Sequence, residues 1–335
     1  MRFIQVGVGG FGRGWVGHVV DDADAQLSAL VDVDPEALEA ARQQVGLPEN
    51  KCYSDFRRAF SEVEADAVLC VTPPAVHHEV AVAALKAGLH VLTEKPLADT
   101  MAHARQMVDA AEAAGLTLMV SQNYRFQPWV RTVQELVKGE DFGPPDCITL
   151  RFEKAPRFAR SFRLKMEHPL VQDMSIHHFD LMRAITGREP VSVYAETWRP
   201  SWSWFEHDPC ATALFHFEGG LRVIYYGSWV TRGAETSWPG HWRIECPQAA
   251  VEVQAGQVHV TPAEQADQHM EVELSGMASA GQAGALREFQ QAIAGGRAPE
   301  TSGRDNLNSL AMVFAVMASA ERGEPVRLEE LTGAI

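Results

Sequence analysis

Phe3-Ile4-Gln5-Val6-Gly7-Val8-Gly9-Gly10-Phe11-Gly12 is the stretch on which the fold turns. Four residues of strand character run directly into G-x-G-x-x-G, and a helical pattern opens at its last glycine. In such a turn Gly7 permits the tight reversal, Gly9 lets the backbone approach a pyrophosphate, and Gly12 lets the helix pack close to the strand. The helix N-terminus then offers N–H groups and the positive end of its dipole to phosphates. Asp32 lies 20 residues past Gly12, at the end of the second apolar run. There a carboxylate accepts from the adenosine ribose hydroxyls and repels a 2′-phosphate. The expected cofactor is therefore NAD rather than NADP. Its expected contacts are Gly7, Gly9, Gly10, Phe11, Gly12, Arg13 and Asp32.

Working outward, strand-like runs at Phe3–Val6, Leu27–Val31, Ala67–Val71, His90–Leu92 and Thr117–Val120 alternate with helical patterns such as Ala75–Ala87 and Met101–Ala114. Gly88 and Gly115 follow those two helices, where a left-handed cap is expected. This alternation predicts a doubly wound parallel sheet over residues 1–122. After Asn123 the character changes. Helices are expected at Pro128–Lys138 and Pro169–Thr186, separated by a strand near Cys147–Phe152 and an irregular basic stretch from Lys154 to Lys165. From Val191 to Thr261 come successive β runs, with turn signals at Glu218-Gly219-Gly220, Pro239-Gly240 and Ala255-Gly256. Helices near Ala283–Ala294 and Arg304–Arg322 close the chain. The expected fold class is α/β: a Rossmann domain, then a domain over residues 123–335 with a large, mostly antiparallel open sheet.

The 335 residues suit two domains. A formal charge of −15 and a pI near 5.3 lack the basic footprint that nucleic acid or an anionic membrane surface requires. The five cysteines form no C-x-x-C pair, so neither a disulfide framework nor a cysteine-based zinc site is expected. No run approaches the roughly 20 apolar residues of a membrane helix, and Met1 to Gly12 reads as strand and turn rather than a leader peptide. A cytoplasmic location is expected.

Three further segments resemble the Gfo/Idh/MocA family: Val71-Thr72-Pro73-Pro74-Ala75-Val76-His77, Gly88-Leu89-His90-Val91-Leu92-Thr93-Glu94-Lys95-Pro96-Leu97, and Asp173-Met174-Ser175-Ile176-His177-His178-Phe179-Asp180. With the glycine loop and the Ala283–Arg322 tail, the resemblance runs along nearly the whole chain. It implies a Rossmann domain followed by an open-sheet domain that often forms a dimer or tetramer interface. It implies Lys95, Asp173 and His177 as the catalytic set, with a Lys95–Pro96 bond that is often cis. Thr72, Pro73, His77, Glu94 and Lys95 are the implied further cofactor contacts. Asn123 and Arg125, with Lys95, Asp173 and His177, are the implied substrate contacts. The substrate implied is a sugar, inositol or related polyol. One departure stands out: Glu167-His168-Pro169-Leu170-Val171-Gln172 occupies the place where many members carry a run of glycines.

Residue chemistry supports these roles separately. Oxidation of a secondary alcohol needs an acceptor for the hydroxyl proton, and a histidine, whose intrinsic pKa lies near neutrality, suits that role at His177. Asp173, four residues earlier on an expected helix, shares its face. Lys95 follows a strand at the carboxyl edge of the parallel sheet, where its ammonium can polarise the substrate C–O bond. Arg125 suits either substrate oxygens or a bridge between domains. No metal is expected, because the adjacent His177 and His178 point about 100° apart on a helix. Six tryptophans from Trp198 to Trp242 are expected to fill a sheet face or subunit interface, with one or two at the pocket rim. Two other activities fit the same residues. One is glycoside cleavage through transient oxidation by tightly held NAD; the other is NAD or sugar sensing without catalysis.

Overall fold

The structure, a computed structural model, describes residues 1–139, 141–158 and 161–333. Its first compact unit comprises Met1–Asn123 and Ala278–Leu307. Here β1 (Arg2–Val6), β2 (Gln26–Val31), β3 (Cys52–Tyr53), β4 (Ala67–Cys70), β5 (His90–Glu94) and β6 (Leu118–Ser121) pair in parallel in the order β3-β2-β1-β4-β5-β6. β1, β4 and β6 are almost entirely buried, which explains why they are mostly apolar on both faces. The intervening helices are α1 (Gly12–Asp21), α2 (Pro35–Val45), α3 (Phe56–Glu62), α4 (Pro74–Lys86) and α5 (Met101–Ala114). Asp34 caps α2 by accepting from the N–H groups of Glu36 and Ala37, and Thr100 caps α5 by accepting from His103. Gly115 ends α5 in the left-handed region, and Gly88, just past the Ala87 cap of α4, is left-handed too with φ +81°, both as expected.

The carboxyl ends of these strands share one edge of the sheet. That edge gathers Gly7, Asp32, Thr72, Lys95 and Asn123, each one or two residues past a strand.

The second unit comprises Tyr124–Met277 and Asn308–Ile335. Its helices include α6 (Pro128–Lys138), matching the expected bounds, and α7 (Ile176–Thr186), ended by Gly187 in the left-handed conformation. Among the described residues, nine strands form its sheet: β7 (Cys147–Glu153), β8 (Pro190–Trp198), β9 (Cys210–Phe217), β10 (Arg222–Ser228), β11 (His241–Glu245), β12 (Ala249–Gln254), β13 (Gln257–Pro262), β14 (Met270–Val272) and β15 (Val326–Arg327). Their order is β14-β13-β12-β11-β7-β10-β9-β8-β15. Every pairing is antiparallel except β7 with β10. Buried and exposed residues alternate along β7 and β8, so one face is packed and the other open.

The units divide differently from the expected 1–122 and 123–335. Residues 278–307, which contain α8 (Gly281–Ala294) and the start of α9 (Gly303–Arg322), group with the parallel sheet. The reason is long-range pairing. Phe289 of α8 packs its ring 6.1 Å from that of Phe3. The Thr301 hydroxyl donates to the Val120 carbonyl at 2.6 Å, and Val120 N–H returns a bond to the Thr301 carbonyl at 2.9 Å. A short helix α10 (Glu329–Thr332) follows β15. No helix among the described residues is long and apolar enough to cross a membrane.

Candidate functional site

The glycine loop is held by its backbone. A Cβ on Gly7 would lie 2.5 Å from the Val71 carbonyl oxygen, and one on Gly12 would lie 2.3 Å from that of Gly7. Both are contacts with main chain that no side chain can relieve, and Gly7 has φ +90°. At Gly9 the nearest atoms are the Ala37 Cβ at 3.7 Å and Asp32 Oδ2 at 3.9 Å, so that position stays open to a close-approaching phosphate. No side chain caps α1, whose first turn contains no acid, while Phe11 and Arg13 beside it are exposed. Asp32 Oδ2 accepts from the N–H groups of Val8 (2.8 Å) and Gly9 (3.1 Å), and Oδ1 accepts from Asp34 N–H. The carboxylate is thereby fixed beside the loop. An uncapped helix end, a tight glycine turn and a fixed acid fit a dinucleotide, with Asp32 for the ribose and the loop for the pyrophosphate.

Two other residues expected to contact the cofactor turn inward instead. His77 is fully buried in α4, with Nε2 2.8 Å from the Thr72 carbonyl oxygen and Nδ1 2.9 Å from that of Pro96. It therefore braces the Thr72–Pro73 loop against the Lys95–Pro96 segment, whose peptide bond is cis. Glu94 is buried as well. Its Oε1 accepts from the Trp15 indole N–H at 2.8 Å and its Oε2 from Lys95 N–H at 3.1 Å, and burial pushes its pKa up. Those two donors hold the carboxyl in the core, whereas Lys95 is half-buried just past the strand end.

In the second unit the helix expected from Pro169 is interrupted. Val171–Ser175 forms a π turn before α7 begins, and the Ser175 hydroxyl donates back to the Leu170 carbonyl at 3.2 Å. Asp173 and His177 therefore lack the α-helical i, i+4 relation expected of them. Asp173 is gripped by Arg163, with Nε–Oδ2 at 2.5 Å and Nη2–Oδ1 at 3.2 Å. His177 is buried, its ring stacked on Tyr124 at 4.3 Å between centroids and 15° between planes. Burial pushes the Tyr124 phenol up to about 12, so that hydroxyl stays protonated at neutral pH. The next residue, His178, points elsewhere, with Nδ1 3.3 Å from the Tyr225 hydroxyl and Nε2 3.3 Å from the Trp238 carbonyl. Among the described residues no three metal-ligating side chains converge.

Arg125 has an identified partner within its own unit. Its buried guanidinium forms a bidentate pair with Asp180, at 2.6 and 2.7 Å. Asp180 also accepts from the Ser309 hydroxyl at 2.6 Å, and Ser309 in turn accepts from Arg183. All four residues belong to the second unit, so this network holds that unit together. Asn123 is half-buried, opening the turn that carries Tyr124. Sequence reasoning missed Tyr124 and Arg163. Tyr124 lay between two residues already selected, and Arg163 sat in the basic stretch recognised only as irregular. Of the six tryptophans, Trp229 and Trp242 are buried in the sheet unit, while Trp202 and Trp238 are exposed.

Residues 1–122 match the family described as "Oxidoreductase family, NAD-binding Rossmann fold", and residues 130–252 match its "GFO/IDH/MocA C-terminal domain". The chain is 31% identical to a D-apiose dehydrogenase of Paraburkholderia graminis, over 97% of this chain and 89% of that protein. It is 26% identical to a myo-inositol 2-dehydrogenase of Thermotoga maritima, over 99% and 100%. In fold it is similar to an Agrobacterium radiobacter oxidoreductase solved with NAD+, L-tartaric acid and magnesium, with a TM-score of 0.89 at 23% identity over 98% and 99% of the two chains. Matches along both parts of the chain, over a glycine cradle shaped for a dinucleotide, make this protein an NAD-binding oxidoreductase of the Gfo/Idh/MocA family.

Proposed function

We propose that the protein is an NAD-dependent dehydrogenase moving a hydride between nicotinamide and a ring carbinol carbon of a sugar, inositol or related polyol. The observation that carries this reading is the buried His177 imidazole, stacked on Tyr124, with the Asp173 carboxylate held in the turn just before it. Bound NAD supplies the hydride acceptor; the residues supply position and proton transfer. His177 takes the hydroxyl proton, and the Tyr124 ring keeps the imidazole plane from swinging. Asp173, anchored by Arg163, accepts from a neighbouring substrate hydroxyl or holds the imidazole. The Lys95 ammonium stabilises negative charge developing on the carbinol oxygen. Asp32 receives the ribose hydroxyls and disfavours a 2′-phosphate. The names of the relatives, D-apiose and myo-inositol dehydrogenases, point to the same substrate class.

The open sheet face supports a homodimer or homotetramer. Tyr194, Leu214 and Ile224 stand in register across β8, β9 and β10 and are each more than a third exposed.

The test is to incubate the protein with NAD and a panel of inositols, aldoses and glycosides, following NADH absorbance and product mass together. NADH should form with a ring polyol, and Lys95→Ala and His177→Ala should each lower kcat by about a hundredfold or more. Substrate cleavage without NADH would replace this reading with transient-oxidation hydrolysis. Near-normal turnover by either variant would remove its assigned role.

A further inference from the structure

In the second unit, β7 and β10 are parallel neighbours that end in register, Glu153 opposite Ser228. Each chain continues four residues beyond that pair to an arginine, Arg157 on one and Arg232 on the other. The two extensions stay joined: Lys154 N–H donates to the Ser228 carbonyl at 2.9 Å, and Thr231 N–H donates to the Lys154 carbonyl at 3.2 Å. The loop between β8 and β9 lies across both. The Trp204 indole N–H donates to the Pro156 carbonyl at 3.1 Å, and that of Trp202 to the Val230 carbonyl at 2.9 Å. Each indole carries an arginine. The Arg157 guanidinium is 3.6 Å from the Trp204 ring centroid, and that of Arg232 is 5.3 Å from the Trp202 ring.

Two cationic neighbours are neutralised: Lys154 pairs with Glu235 and Arg163 with Asp173. Neither Arg157 nor Arg232 forms an ion pair with a described carboxylate, although the chain carries 44 acids against 29 basic residues. Both arginines are exposed. A guanidinium lying on an indole keeps its N–H donors in the ring plane, directed outward in the geometry that receives carboxylate or phosphate oxygens. The two groups rest on Trp204 and Trp202, indoles two residues apart in one loop, and each indole is bonded to one of the two joined extensions. The pair also connects to the proposed catalytic turn. Phe158, next to Arg157, has Arg163 over its ring at 5.2 Å, and Arg163 is the residue that grips Asp173.

We propose that Arg157 and Arg232, seated on Trp204 and Trp202, form a subsite for an oxyanion carried by the substrate, so that the preferred ring substrate is acidic rather than neutral. The shared chemistry is a carboxylate or a phosphate. The subsite's link to turnover rests on the dehydrogenase reading; its capacity to bind anions does not.

The experiment has two arms, run on the full chain and on the Arg157→Ala/Arg232→Ala variant, with circular dichroism confirming that the variant folds. Indole fluorescence is first titrated with glucuronate, glucose 6-phosphate, inorganic phosphate and, as control, glucose, without NAD. Saturable quenching by at least one anion and none by glucose is expected, with affinity falling about tenfold or more in the variant. Glucuronate as the tighter ligand identifies a carboxylate subsite, and the two phosphates a phosphate one. NADH formation is then compared for the same sugars. The ratio of kcat/KM for the preferred anionic sugar to that for glucose should fall about tenfold in the variant, mostly through KM. Charge-preserving Arg157→Lys should retain part of the anion affinity, which simple loss of packing would not predict. Anion titrations that fail to saturate, or that are identical in the variant, overturn the subsite whatever the enzyme oxidises. Saturable, variant-sensitive binding with no NADH from any sugar upholds the subsite and overturns the dehydrogenase reading instead.

Discussion

Truncating Arg125 to alanine separates a structural from a substrate-binding role. The Arg125 and Asp180 side chains are 6% and 1% exposed, and the two charged bonds between them measure 2.6 and 2.7 Å. Without the guanidinium, Asp180 keeps the Ser309 hydroxyl as its other identified donor while remaining a buried carboxylate. Removing one partner of such a pair costs about 3–5 kcal/mol. At a urea m-value near the upper end of ~1–3 kcal/mol per molar, the unfolding midpoint should fall by about 1–2 M. Tryptophan fluorescence is a suitable reporter, since seven of the eight tryptophans, all but Trp15, lie in the second unit. The double variant Arg125→Met/Asp180→Leu should lose less than Arg125→Ala, because the stranded charge is gone and Ser309 still has Arg183. A midpoint for Arg125→Ala that stays where the unsubstituted protein's lies, together with a KM raised about tenfold, would overturn the structural role and return Arg125 to the substrate.

Four other outcomes follow from single sites. His178 is buried with its pKa lowered by desolvation from 6.5 to about 4, so the unfolded chain takes up that proton first as the solution is acidified. Its contribution is therefore complete above pH 6.5 and is lost progressively toward pH 4, by up to about 3 kcal/mol; His178→Gln should flatten this limb in urea melts measured across pH. Gly12→Ala, whose Cβ meets the Gly7 carbonyl, should destabilise the first unit by about 1–3 kcal/mol even without cofactor. Gly9→Ala, with nothing nearer than 3.7 Å, should instead spare the melt and weaken NAD binding in calorimetry; equal melting losses would contradict the cradle geometry. Asp32→Ala should relax discrimination against NADP, and an unchanged ratio of NAD to NADP affinity would remove Asp32 from the ribose site.

What the sequence determined by itself was local or periodic. The glycine loop, the bounds of α5 and α6, and the left-handed glycines at Gly88 and Gly115 depend on neighbours within a turn or two, and each was legible. So were the parallel and antiparallel halves, because full burial and alternate burial leave different apolar patterns. Tertiary structure decided the partners. Glu94 answers to Trp15 across 79 positions and Arg125 to Asp180 across 55, which made inward structural groups of residues that had looked like ligands. The π turn at Val171–Ser175 leaves no periodic signature, since a single widened turn stands between helical residues, and Ser175 is held there by both Leu170 and Tyr225. The parallel alignment of β7 with β10 and the loop laid across them seat Arg157 on Trp204 and Arg232 on Trp202, partners more than 25 positions apart in each case. Periodicity records which face of an element is buried; it carries no record of which distant side chain meets it there, because that is settled only when the chain packs.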